Sequence, residues 1–305
     1  MSPRIGPRIV ATYTTIPGRY ESLKQSILTL KEQSYPLDAI YVGIPKICRR
    51  TQKPYPPIPD DLRSLCTIVD CDQDYGPLTK IYGGLISESD PNTVLISCDD
   101  DVLFPEDFIK SLMNHHDGQN VICGTGALIK HGLLFISIFS SLDVCRPFNF
   151  ITGPKCGTKG RPIDLVFGVG GVLYSRKHFP KNEDLHEELL KYALLDNDLF
   201  HNDDVVISGY LSKRGITRML YNDIIQIHHL SGADALSADL WGMLKRMNRA
   251  IIAAETYGLY TKENYESLTY NEILVLNSLF WFCSLVLLII LVVIFCYCMY
   301  RYVHG

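Results

Sequence analysis

Short apolar runs recur along this chain, and between them apolar positions fall at helical spacing. Ile9-Val10-Ala11-Thr12-Tyr13, Ala39-Ile40-Tyr41-Val42-Gly43-Ile44, Cys66-Thr67-Ile68-Val69 and Thr93-Val94-Leu95-Ile96 read as strands. The first leads through the turn Thr14 to Arg19 into a helix whose Leu23, Ile27 and Leu30 share one face. The third leads through Asp74-Tyr75-Gly76-Pro77-Leu78-Thr79-Lys80 into a helix bearing Ile81 and Leu85. A helix from Pro105 carries Phe108, Ile109 and Leu112, and Val121-Ile122-Cys123-Gly124 opens another strand. Strands alternating with helices predict an α/β fold with a mostly parallel sheet.

The second half is less regular. Leu133 to Phe150 is apolar but broken, and reads as strands or a covering flap. Asp164 to Tyr174 reads as a strand interrupted by Gly168, Gly170 and Gly171, where a ligand can approach the backbone. Asp184 to Leu195 has the spacing of an amphipathic helix, and another follows Asp203 with Val206, Ile207, Tyr210 and Leu211. Ile225-Gln226-Ile227-His228-His229 reads as a strand ending in two histidines, and Ala238 to Thr256 as a helix that is basic on one side. The stretch Pro45 to Pro59, with five prolines and Arg49, Arg50 and Lys53, is a long irregular loop.

One stretch changes the class of the protein. From Ile273 to Tyr300 there is no Asp, Glu, Lys, Arg or His, and Trp281, Tyr297 and Tyr300 are placed where interfacial aromatics sit. This predicts one membrane-spanning helix. Met1 to Arg8 has no apolar segment of the signal-peptide kind. The expectation is a C-terminal anchor, contact with membrane lipid through it, and a catalytic domain on the cytosolic side. The predicted division is a domain over 1–256, a linker over 257–272, the span over 273–300 and a short tail over 301–305. A formal net charge of −4 excludes the basic footprint of a nucleic-acid binder. Of ten cysteines, Cys283, Cys296 and Cys298 lie in the expected span, and the other seven, without a C-x-x-C pair, read as reduced thiols.

The candidate chemistry lies at the ends of these elements. Asp99-Asp100-Asp101 follows a buried strand directly, and ligands of open α/β sheets sit beyond the carboxyl ends of strands. Adjacent carboxylates repel unless a cation lies among them, and hard oxygen donors suit Mg²⁺ or Mn²⁺. A solvated acidic turn is the plain alternative. A second acidic pair, Asp203-Asp204, opens a helix, where it could equally serve as capping. Thr14 and Arg19 lie in a turn between strand and helix that can bind phosphate. Lys80 near a helix start makes sense beside an anion. Asp70 ends the third strand.

Taken in order, these stretches resemble nucleotide-sugar glycosyltransferases of the GT-A fold, closest to family-2-like members. They are also similar to glycosyltransferases of large DNA viruses of algae. The resemblance covers roughly Arg8 to His229. It implies that Asp99 and Asp101 form the D-x-D motif, and that Asn202-Asp203-Asp204-Val205-Val206-Ile207-Ser208 stands where that family has its E-D motif. Asp203 then stands where the family has Glu. Asp204 matches the catalytic base of inverting members, and His229 or His228 matches a downstream metal-site histidine. The implied enzyme moves a sugar from a nucleotide donor, a UDP-sugar slightly favoured, to a glycan or other hydroxyl acceptor. Thr14, Arg19, Asp70, Lys80, Asp99 and Asp100 are expected at the donor, with Asp99, Asp101, His229 and His228 around Mn²⁺ or Mg²⁺. A metal-dependent nucleotidyltransferase and a silent membrane-tethered scaffold remain as alternatives.

Overall fold

The computed structural model describes residues 6–134, 146–152, 160–225, 227–230, 240–260 and 266–267. The expected span over 273–300 lies outside the described residues. Among the described residues, no helix is long and apolar enough to cross a membrane. The chain divides into two compact units, Met1–Ile129 with Ile151–Asn264, and Lys130–Phe150 with Tyr265–Gly305.

The first unit is built on an eight-stranded sheet. Its strands are β1 (Ile9–Thr14), β2 (Ala39–Pro45), β3 (Thr67–Cys71), β4 (Val94–Ser97), β5 (Val121–Cys123), β6 (Arg161–Ile163), β7 (Val172–Ser175) and β8 (Arg218–Leu220). Their order across the sheet is β6-β8-β5-β7-β4-β1-β2-β3. All but β6 and β7 run in one direction. Helices α1 (Tyr20–Lys31), α2 (Thr79–Ser87), α3 (Phe108–Met113), α4 (Asp203–Lys213) and α5 (Leu240–Thr256) complete the main elements. The mixed α/β architecture with a mainly parallel sheet is the one the sequence pattern predicts.

Buried β-branched and apolar residues explain the central strands. Ile9, Val10, Ala11 and Tyr13 of β1 and Val94 to Ile96 of β4 are inaccessible or nearly so. Strands covered on both faces lose the alternation seen in half-exposed ones. The α1 face of Leu23, Ile27 and Leu30 packs into the same core as Phe104, Phe108 and Leu112. The strand order reverses between β1 and β4, and that reversal opens a crevice at the carboxyl ends of both.

Several elements differ from the sequence pattern. The third strand runs over Thr67–Cys71, a shift that carries Asp70 into the ladder opposite Ile44. The segment expected as a helix over Asp184 to Leu195 winds as a wider π-turn over His186–Leu190 and resumes as a short helix over Tyr192–Leu195. The wide turn buries the adjacent Leu189 and Leu190 together. The glycine-interrupted strand is two strands, Leu165–Val166 and β7, separated by a 3₁₀ turn over Gly168–Gly170. Gly171 follows in the left-handed region at φ +67°, where any side chain would meet the Phe108 ring. Of the strand expected to end at His229, only His228–His229 pairs among the described residues, with Val102–Leu103.

In the stretch read as strands or a flap, Gly126–Leu134 and Arg146–Thr152 are strands. Gly126–Leu134 pairs through Gly126 and Ala127 with Leu165–Val166 in the first unit. In the second unit, Glu266–Ser267 pairs in parallel with Lys130 and His131.

A buried histidine makes the first unit acid-sensitive. The Ser175 N–H donates to His178 Nδ1 at 3.2 Å, and Nε2 lies 2.9 Å from the Gln119 carbonyl. Neutral imidazole protonated on Nε2 satisfies both contacts, whereas a second proton would put N–H against N–H. Burial lowers its pKa to about 4. The unfolded chain therefore binds this proton first, so the contribution is complete above about pH 6.5 and is lost as pH falls toward 4. Between pH 7 and pH 5 it should remove about 2 kcal/mol of stability. Denaturant midpoints at the two pH values should show this loss, and His178→Gln should shrink the difference.

Candidate active site

A cavity of about 600 Å³ opens at the carboxyl ends of β1 and β4. Its lining includes Thr14, Thr15 and Arg19 from the end of β1 onward, Lys80 of α2, and Asp99, Asp100 and Asp101 beyond β4. Asp203 and Asp204 at the start of α4, with His229, line it as well. Residues from across the chain thus meet at the crevice that the strand order creates.

The acidic triplet is held tightly. The Thr15 hydroxyl donates to Asp100 Oδ2 at 2.5 Å, and Arg19 Nη1 lies 3.1 Å from Asp100 Oδ1 and 3.3 Å from Asp101 Oδ2. Burial pushes the Asp100 carboxyl up to about 6, against the pull of Thr15 and Arg19. The Leu230 N–H donates to the Asp101 carbonyl at 2.8 Å, continuing the pairing of His228–His229 with Val102–Leu103. Both histidines of that two-residue ribbon are exposed, and it brings His229 to the cavity lining while His228 stays outside it.

The second acidic pair sits where a helix favours negative charge. Asp203 and Asp204 occupy the first turn of α4, whose remaining residues from Val205 to Leu211 are buried. The Gly168 N–H donates to Asp204 Oδ1 at 2.8 Å. Loss of water pushes the Asp204 carboxyl well above the ordinary range, and the neighbouring Asp203 charge adds to it. Lys80 and the Gly168 N–H pull the other way.

Lys80 links the two clusters. Its ammonium lies 2.6 Å from Asp99 Oδ1 and 2.8 Å from Asp203 Oδ2, and the residue is only 5% exposed. Burial works against its charge, but Asp203, Asp99 and Asp204 together hold its pKa well above the ordinary value. Asp70, also expected at the donor, is exposed and does not line the cavity. Thr14 lines it with its hydroxyl bonded to the Gly43 carbonyl at 2.9 Å.

Much of the lining carried no signal in the sequence. Phe167 and Val169 flank the glycine that holds Asp204, and Phe200 and His201 precede α4. Arg246 and Met247 come from α5, and Cys48, Arg50 and Tyr55 from the proline-rich loop. The Tyr55 hydroxyl donates to the Thr15 carbonyl at 2.9 Å, which fastens that loop to the end of β1. Only the length and composition of the loop marked it in advance.

In charge, the carboxylates of Asp74, Asp99, Asp100, Asp101, Asp203 and Asp204 outnumber the cations Arg19, Arg50, Lys80 and Arg246 around the cavity. Such an excess of hard oxygen donors is suited to a divalent cation. Asp99 keeps one carboxylate oxygen outside its ion pair with Lys80, and Asp101 keeps one outside its pair with Arg19. Among the described residues, no three His, Cys, Asp or Glu side chains converge into a ready-made metal cage. The described cysteines Cys48, Cys66, Cys71, Cys98 and Cys123 are not joined in disulfides.

No family model matches the sequence, and no curated protein matches it. Among solved structures, the chain is similar to a 4-diphosphocytidyl-2C-methyl-D-erythritol synthase, at 8% identity over 79% of this chain and 100% of that one, with a TM-score of 0.40. It is also similar to residues 1–349 of S. aureus TarS, at 12% identity over 73% of this chain and 60% of that one, with a TM-score of 0.41. Likenesses this distant leave the chemistry to be argued from the site itself.

The turn that carries Lys80 into α2 depends on one glycine. Gly76 has φ +63°, and a Cβ there would lie 2.3 Å from the Phe200 carbonyl oxygen. Gly76→Ala combines a strained backbone with a clash against the segment that precedes Asp203. It should lower stability by about 1–3 kcal/mol, read as a fall in the thermal unfolding midpoint.

Proposed function

We propose that the protein is a nucleotide-sugar glycosyltransferase of GT-A type, family-2-like, acting with inversion. One observation carries this reading: two acidic clusters from distant parts of the chain face one cavity at the strand-order reversal, one beyond β4 and the other on a helix start. Glycosyl transfer needs two such jobs done at once. Negative charge develops on the departing nucleoside diphosphate, and a proton must leave the attacking hydroxyl. The sugar moves to a glycan or other hydroxyl acceptor.

The residues divide accordingly. The diphosphate belongs beside the triplet, with Arg19 adding positive charge. Asp99 and Asp101, with His229, would hold Mn²⁺ or Mg²⁺, which when bound supplies Lewis-acid stabilisation of the leaving diphosphate. Asp204 takes the proton of the acceptor hydroxyl as that oxygen bonds to the anomeric carbon. The bond from that carbon to the diphosphate oxygen breaks, and its electron pair leaves with the nucleotide. A base raised by burial suits this role, because a carboxylate with an ordinary pKa accepts a proton weakly at neutral pH. A UDP-sugar is the favoured donor on resemblance alone.

Asp101→Ala should abolish metal-dependent donor binding, because the diphosphate would then face Asp99 and Asp100 without its counter-ion. Asp204→Asn keeps the shape of the site and removes proton acceptance. Donor affinity should survive while turnover falls by about two to four orders of magnitude. Calorimetric titration of the donor with Mn²⁺ and a transfer assay test both. Near-normal turnover of Asp204→Asn would sink the assignment. Release of pyrophosphate from a nucleoside triphosphate and a sugar phosphate would favour a nucleotidyltransferase instead.

The charge-free run Ile273 to Tyr300 supports a membrane anchor for this enzyme. Alkaline carbonate should leave the full chain in the membrane pellet, and truncation before Asn271 should release it. A full-length chain that is soluble without detergent would contradict the anchor.

A further inference from the structure

Lys80 is a buried charge held by carboxylates from two elements. Its side chain is 6% exposed, and its ammonium contacts Asp99 Oδ1 and Asp203 Oδ2 at 2.6 and 2.8 Å. Asp203 Oδ2 is buried and makes no hydrogen bond to any other group, so this ammonium is what compensates it. A third carboxylate lies near. A Cβ built on Gly168 would stand 2.9 Å from Lys80 Nζ and 3.1 Å from Asp204 Oδ1, so the two atoms themselves lie within about 6 Å. Opposite charges at that range attract strongly where water is scarce. The Gly168 N–H meanwhile holds the same Asp204 oxygen at 2.8 Å.

A lysine committed in this way is poorly placed to receive a phosphate. A phosphate would have to displace two carboxylates from a buried ammonium, leaving both uncompensated. Arg19 is more exposed than Lys80, with a side chain 17% accessible.

We propose that Lys80 is a positioning residue for the proton-accepting Asp204, and that it is not a ligand of the donor phosphates. It spans the donor-side carboxylate Asp99 and the helix-start carboxylate Asp203, and so fixes the first turn of α4 against the end of β4. Asp204 is thereby aimed with one oxygen on the Gly168 N–H and its other oxygen left for the acceptor hydroxyl. Gly168 is part of this arrangement, since any side chain there would intrude between the ammonium and Asp204. The proposal rests on the transferase reading above for the identity of the base. The placement of the carboxylate can be tested without it.

The test uses the full chain with Lys80→Ala, which leaves a space for a small alkylammonium ion. Donor affinity by calorimetry should stay within about threefold of the wild type, while kcat falls about 10²- to 10³-fold. Ethylammonium should restore kcat at least about tenfold by supplying the missing charge, and tetramethylammonium, which cannot donate a hydrogen bond, should not. In crystals of the variant, Asp204 should leave the Gly168 N–H and return to it when ethylammonium is soaked in, whether or not any sugar is transferred. Should Lys80→Ala unfold, Lys80→Ala with Asp203→Asn removes both halves of the more buried pair and leaves only the more exposed Asp99 without its partner. This double variant should fold, bind donor, and gain nothing from ethylammonium.

Loss of donor affinity in step with kcat/KM would make Lys80 a phosphate ligand and overturn the proposal. So would an unchanged kcat, an Asp204 that stays in place in crystals of the variant, or a double variant as active as the wild type. If the wild-type chain transfers no sugar but Asp204 moves and returns in the crystals, the transferase reading fails and the positioning role stands.

Discussion

A single buried ammonium between two carboxylates is the contact on which the site depends. Lys80 belongs to α2, Asp99 to the end of β4, and Asp203 to the start of α4. α2 and β4 follow one another along the chain, whereas α4 comes far later. Breaking such a pair by deleting one partner leaves an uncompensated charge out of water, at a cost of about 3–5 kcal/mol. That penalty ties the geometry of the two acidic clusters to the folded state. The neighbouring backbone is fastened to the sheet as well: the Thr12 hydroxyl of β1 bonds the Lys80 carbonyl at 2.5 Å and accepts the Gly84 N–H at 3.0 Å.

The sheet provides the second constraint. Strand order reverses between β1 and β4, so the chain leaves their carboxyl ends in opposite directions and a crevice remains. Thr15 and Arg19 leave from one side of it and Asp99 to Asp101 from the other, and they bond across it. The antiparallel β7 beside β4 brings in the 3₁₀ turn of Gly168, which presents a backbone N–H to Asp204. The cavity therefore has a charged floor of opposed carboxylates and cations. Phe167, Val169, Phe200 and Met247 add apolar side chains to its lining.

The fold class and the positions of both acidic clusters were legible in the sequence for a local reason. Periodicity marks buried strands, and an abrupt change from apolar residues to carboxylates marks a strand end wherever the strand is later placed. Asp99 to Asp101 and Asp203 to Asp204 could thus be found one cluster at a time. Lys80 could be marked only as a charge near a helix start. Asp70 had the same local signature as the triplet, a carboxylate at the end of an apolar run, yet it lies within the edge strand β3 and outside the cavity.

What the sequence determined alone is what depends on neighbours along the chain: strand, turn and helix starts, the acidic clusters, and the charge-free run from Ile273 to Tyr300. Partnership was decided by the tertiary structure. Lys80 faces carboxylates 19 and 123 residues further along, Tyr55 reaches Thr15 from the proline-rich loop, and α5 contributes Arg246 and Met247 to a wall assembled mostly from earlier residues. Ion pairs and cavity walls act through space over a few ångströms, and chain separation carries no record of those distances until the sheet order is set.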